Sequence, residues 1–309
     1  MIKYYYKSLR STELQTLEAY KRGAWVYVEA PTNDEVVQLV KQFDLEEGHV
    51  RDALDEDEMP RLEKEDDQTY IFVRGAYATE SGELDTVPVL FIFTGECVIT
   101  ICLKKLPYVD AFRRGRYNFA TTQRTKLILQ ILNQVVEQYD TYITQTSKQI
   151  KAIRNRLRGH EISNKDFIDF VTIEDELNEF LSTLQPTNAT LRRLSLGRNI
   201  PLFEEDQDLV EDLLLNNEQS IEACNSNIKS IINIRQAYSS ISSNNLNRTM
   251  KILTLATVIV ALPNAIFGMY GMNVPLPGQN SAHAFLSLIV AVLILITAVI
   301  VYMRKKRVI

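Results

Sequence analysis

Hydrophobic positions are spaced in three different ways along the chain. Over residues 1–120 they come in short aromatic and β-branched runs. Trp25-Val26-Tyr27-Val28-Glu29-Ala30, Tyr70-Ile71-Phe72-Val73-Arg74 and Val87–Leu103 stand between turn or charged segments, which predicts strands. Between them, Thr32–Phe43 and Glu47–Leu54 have helical spacing, with Asn33 or Asp34 helping to cap the first. Over residues 121–250 the spacing becomes three and four. Ile128, Leu132, Val135, Tyr139, Tyr142, Ile150, Ile153 and Leu157 follow a heptad-like rhythm that Gly159 ends. Asn164 or Ser163 caps a further helix through about Leu196, and Gly197 closes it. No Gly or Pro occurs from Leu202 to Leu262, where apolar residues recur at Leu209, Leu213, Ile221, Ile228, Ile231 and Ile232. A single helix over that stretch is about 90 Å long.

The third pattern, residues 251–309, is nearly continuous apolarity. Ala284–Met303 contains only Ser287 and Thr297 as polar residues, long enough to cross a hydrocarbon core of about 30 Å. Ile252–Tyr270 is also uncharged but carries Thr254, Thr257, Pro263 and Asn264. The expected organisation is an α+β membrane protein: an α/β cytoplasmic domain (1–120), a helical stalk (121–250) and a transmembrane domain (251–309). The last holds spans at 252–270 and 284–303, an outer loop at 271–283 and a basic tail at 304–309.

Charge sharpens this division. The chain carries 34 basic and 39 acidic side chains, net −5. After Met250 there is no acidic residue, only Lys251, Arg304, Lys305, Lys306 and Arg307, so residues 1–250 carry −10. Basic residues at both outer flanks put both chain ends in the cytoplasm, in the plasma membrane of the cell. Net acidity argues against a nucleic-acid partner. Met1-Ile2-Lys3-Tyr4-Tyr5-Tyr6-Lys7 has no apolar run and is not a secretory signal. Cys97 and Cys102, five apart in a strand-like run, point to opposite faces, and three cysteines without a CxxC read as buried thiols in a reducing compartment.

One face of the first span and its extension differs from the rest. At steps of three and four lie Asn247, Met250, Thr254, Thr257, Ala261, Asn264, Gly268 and Gly271, almost all small or polar. Such a stripe is either a packing seam between helices or the lining of a water-filled path. Two amides on it favour the path, since an amide in lipid needs water or a partner. A single copy with two spans encloses nothing; a symmetric homo-oligomer with the stripe inward does.

The first span ends Tyr270-Gly271-Met272-Asn273, and a second span and basic tail follow. This resembles the CorA family of divalent-cation transporters, whose signature is Gly-Met-Asn after the first of two C-terminal spans. Met250-Lys251-Ile252-Leu253-Thr254 resembles the start of the family's pore helix. Asp52-Ala53-Leu54 with Met59-Pro60-Arg61-Leu62-Glu63, and Leu184-Gln185-Pro186 through Leu194, are similar to its body motifs. The resemblance implies a funnel-shaped homopentamer in the bilayer that conducts Mg²⁺, with Co²⁺, Ni²⁺ or Zn²⁺ as alternatives. Gly271, Met272 and Asn273 are then the selectivity filter, where neutral amide and carbonyl oxygens hold the hydrated ion through its waters. Family members often carry acidic residues in the outer loop, whereas Val274–His283 has none. The resemblance also implies a regulatory cation between cytoplasmic domains of neighbouring subunits, with Asp52 and Asp212 as its ligands. Acidic neighbours Asp55–Glu58 and Glu204–Glu211 thicken both surfaces, which repel unless cations bridge them. No EF-hand spacing, Gly-rich phosphate loop or nucleophile–base pair is present, so enzyme activity has no support. A proton-coupled zinc transporter similar to ZntB and a non-transporting membrane-anchored scaffold or sensor are the rival readings.

Overall fold

The computed structural model describes the chain except for residues 12, 108, 115–116, 159–163, 273, 275–277, 279–282 and 306–309. It divides into two compact units, residues 1–232 and 233–309.

The first unit is built on a mixed seven-stranded sheet. Strands β1 (Ile2–Tyr6), β2 (Gln15–Leu17), β3 (Trp25–Glu29), β4 (Arg61–Glu65), β5 (Gln68–Ala78), β6 (Leu84–Phe93) and β7 (Val98–Cys102) lie in the order β2-β1-β3-β7-β6-β5-β4. β3 pairs with β7 in parallel, and the other pairings are antiparallel. The β-rich run Val87–Leu103 contributes to two strands of a hairpin. Thr94 turns the chain: its hydroxyl accepts from the Glu96 and Cys97 amides and donates to the Cys97 carbonyl. A Thr-Gly-Glu turn inside an apolar run is short enough to leave the hydrophobic pattern almost unbroken.

Alternation sends Val26, Val28, Tyr70, Phe72, Ile99 and Ile101 to one face of the sheet. Helices α1 (Asn33–Phe43) and α2 (Glu47–Asp52) cover that face through Val36, Leu39 and Val50. Cys97 belongs to this face. Cys102 meets the Tyr27 hydroxyl on the other, so the two thiols do point oppositely. The cap of α1 is Thr32 rather than Asn33 or Asp34. The Thr32 hydroxyl accepts from the Glu35 amide, and the Glu35 carboxylate accepts from the Thr32 amide at 2.9 Å. Three successive residues are good caps, and Glu35 selects the one three positions before it.

The opposite face carries α3 (Val109–Arg113), α4 (Arg124–Arg158) and α5 (Asn164–Ser195). The α4 positions Ile128, Leu132, Val135, Tyr139, Ile150 and Ile153 are all buried. Gly197 follows α5 in the left-handed region at φ 67°. Gly159 and Ser163, proposed as stop and cap, lie outside the described residues.

Helix α6 (Glu204–Tyr270) is a single 67-residue helix shared by both units. In the first unit its buried seam runs Val210, Leu213, Asn217, Ser220, Cys224 and Ile231, against α4 and α5. Ile232, expected on that seam, is 37% exposed because it sits one step past Ile231. Two polar residues take seam positions instead. The Asn217 amide donates to the Leu184 carbonyl at 3.0 Å. The second unit comprises the rest of α6 and α7 (Ala284–Lys305), and both helices are long and apolar enough to cross a membrane.

Candidate functional site

Along α6, Asn247, Met250, Thr254, Thr257, Ala261, Asn264 and Gly268 are all exposed. Leu255, Ile259, Leu262, Pro263 and Ile266 are partly covered. At 3.6 residues per turn the centres of these two stripes lie about 160° apart. On α7 the covered positions Leu288, Ile289, Val292, Ile296, Val299 and Ile300 also form one stripe. The few covered positions of this unit are therefore apolar, and the small-polar face of α6 is exposed together with Leu253, Val258, Val260 and Phe267. A packing seam between the two spans of one chain is not what that face provides.

The stripe hydroxyls are oriented by the helix itself. Thr254 donates to the Met250 carbonyl at 2.8 Å, and Thr257 to the Leu253 carbonyl at 2.9 Å. Each hydroxyl has one proton, and it is spent inside the helix, so the oxygen lone pairs remain for an outside donor. Water around a cation is such a donor. Pro263 lacks an amide proton, which removes one rung of the ladder at the Ile259 carbonyl, on the covered side.

The helix ends as its sequence requires. The Gly271 amide donates to the Phe267 carbonyl at 3.0 Å and the Met272 amide to the Met269 carbonyl at 3.2 Å. Gly271 does not occupy the left-handed region, and an added Cβ would stand 3.4 Å from its nearest neighbour, an ordinary contact. The chain's own conformation therefore does not demand glycine here. Asn273 lies outside the described residues.

The acidic segment is held by two arginines that the sequence reading did not single out as clamps. Asp52 ends α2, and its Oδ2 accepts from Arg61 Nη2 at 2.6 Å. His49 Nδ1 is 3.9 Å from the same oxygen. Arg61 also pairs with Glu58 and stands 3.8 Å from Glu63. Arg74 is buried. Its Nη1 donates to the Glu56 and Glu58 carbonyls at 2.7 and 2.9 Å, and its Nε to the Thr86 hydroxyl at 2.8 Å. The signal available in the sequence was a lone arginine closing the apolar run Tyr70–Arg74, since a cation placed there must find several acceptors. Asp212 lies on α6, exposed and without an ion pair among the described residues. Among the described residues no three His, Cys, Asp or Glu side chains converge on a metal-sized site.

The thiols contribute no chemistry. Cys97, Cys102 and Cys224 are free and buried. Burial pushes all three thiols up, Cys102 and Cys224 to about 12.

Three comparisons bear on this arrangement. The family model described as CorA-like Mg²⁺ transporter protein matches residues 20–306. The cobalt/magnesium transport protein CorA of Methanocaldococcus jannaschii is 23% identical over 299 residues, covering 92% of this chain and 90% of the relative. The complete structure of the CorA magnesium transporter from that organism superposes with a TM-score of 0.86 at 20% identity, covering 99% of this chain and 98% of the other. The ZntB cytoplasmic domain from Vibrio parahaemolyticus superposes with a TM-score of 0.65 at 11% identity, covering 78% of this chain and 98% of that domain.

Proposed function

The chain belongs to the CorA-like Mg²⁺ transporter family, a family of transporters and not of enzymes, and on that ground we propose that it carries divalent cations across a membrane. Mg²⁺ is the first candidate and Co²⁺ the second, as the name of the Methanocaldococcus jannaschii relative suggests. The working unit is a homo-oligomer, a pentamer by family resemblance, with the small-polar face of α6 turned to its axis. The observation that carries this reading is that the face is small and polar where the rest of the span is apolar, and lies opposite the side that the unit partly covers. Asn247, Met250, Thr254, Thr257, Ala261, Asn264 and Gly268 line the path, and Gly271, Met272 and Asn273 form its outer filter. Neutral oxygens suit Mg²⁺, which sheds its waters reluctantly and is held through them. Both termini lie in the cytoplasm of the cell, as the basic flanks suggest. Asp52 of one subunit and Asp212 of its neighbour bind a regulatory cation that keeps the path shut.

The test is flux into proteoliposomes, comparing Mg²⁺, Co²⁺, Ni²⁺ and Zn²⁺ at two pH gradients. Uptake of Mg²⁺ that follows membrane potential and ignores the pH gradient is expected. Zinc-selective uptake driven by the proton gradient would replace this reading with a ZntB-like one. The likeness to the ZntB domain, the acid-free loop and His283 are what favour that rival. No flux of any of the four ions would leave only a membrane-anchored sensor.

A further inference from the structure

Asp52 is not a bare carboxylate. The Arg61 guanidinium holds its Oδ2 at 2.6 Å, pairs with Glu58 and stands 3.8 Å from Glu63. Arg61 is also fixed from behind. It lies directly across the β4–β5 ladder from Phe72, with its guanidinium carbon 4.0 Å from the ring centre and its side chain only 29% exposed. One fixed cation thus stands among three carboxylates at the place where the regulatory cation is expected.

We propose that Arg61 is an internal counter-ion that competes with divalent cations for Asp52 and so sets the concentration at which the regulatory site fills. This rests on the reading of Asp52 as a regulatory ligand. A divalent ion that takes Oδ2 directly must displace a charge-assisted hydrogen bond from a preorganised fork. An ion held through water on Oδ1 avoids that loss but still feels the arginine's positive charge. Arg74 makes the exchange local. It grips the Glu56 and Glu58 carbonyls from inside the fold, so the acidic segment keeps its shape whichever cation Asp52 faces. The competition also discriminates. An ion that strips its water and coordinates directly meets more opposition than one that keeps its shell.

The sign of the effect separates competition from mere support of the fold. A structural prop, once removed, weakens cation binding; a competitor, once removed, strengthens it. The measurement is the Mg²⁺ concentration that half-protects the full-length protein, in detergent, from chymotrypsin. Arg61→Gln should lower that concentration about five- to tenfold, within the range of ordinary coupling between sites. Arg61→Lys keeps a point charge without the fork and should lower it by a smaller factor, about two. Asp52→Asn should raise it, and adding Arg61→Gln to that variant should then shift it little. An unchanged or higher midpoint in Arg61→Gln, alongside a raised one in Asp52→Asn, overturns the role of Arg61 alone. An unchanged midpoint in Asp52→Asn overturns the reading of Asp52, and the competition with it. If Arg61→Gln does not fold, Arg61→Lys carries the test, and a midpoint at or above wild type there overturns the proposal.

Discussion

A single amide separates the two uses of the small-polar face. Asn264 is exposed on it, whereas Ile266 is partly covered on the face that the second unit closes. If the face lines a path, Asn264→Leu should narrow and dewet it, cutting flux at least tenfold in assembled protein. Ile266→Leu keeps volume and polarity and should leave flux within about twofold, since volume-conserving swaps cost little. Flux assays on both variants decide the matter, and equal losses would favour a seam between subunits. The location of this face was legible in the sequence because small and polar residues at helical steps stand out against Ile, Leu and Val. The acidic segment was half legible. Asp52 was found as a charge, but its partner Arg61 was not, because β4 pairs with β5 at a register no local pattern reveals. At Gly271 the helix end closes with ordinary hydrogen bonds, and the chain itself leaves room for a Cβ.

At the scale of elements, periodicity gave the long helices well and the strands less well. Heptad spacing marked α4 because one face of a long helix is buried throughout. The buried seam of α6 was only partly read, because Asn217 and Ser220 occupy it and an apolar pattern does not register polar residues. Strands β1, β2 and β4 went unread, being short, with β1 rich in tyrosine, β4 rich in charge and β2 only three residues long. The start of α1 offers a quantitative check. Thr32→Ala removes the side-chain half of a capping box and should cost about 1 kcal/mol of stability. Asn33→Ala, one step inside the helix, should cost much less. Denaturant unfolding of the two variants measures the difference, and equal costs would return the cap to Asn33.

For the molecule as a whole, the proposed control is charge repulsion held in check by cations. Neutralising both carboxylates, Asp52→Asn with Asp212→Asn, removes the anionic charge that binds the cation and the repulsion that opens the interface. The double variant should conduct at internal Mg²⁺ levels that silence the wild type, but with modest maximal flux. Current or dye-reported uptake against internal Mg²⁺ measures this, and an unchanged inhibition curve would leave the acidic surfaces with solubility alone to explain them. A different consequence follows from the composition of the open α6 face. From Asn247 to Gly271 none of its side chains gains or loses a proton at any pH a cell experiences. If that face lines the path, the path is acid–base silent: it has nowhere to park a proton and no charge of its own to switch. Any dependence of uptake on acidity would then originate off that face, for instance in His283 or in His49 beside Asp52, and the two-gradient arm of the flux assay would reveal it.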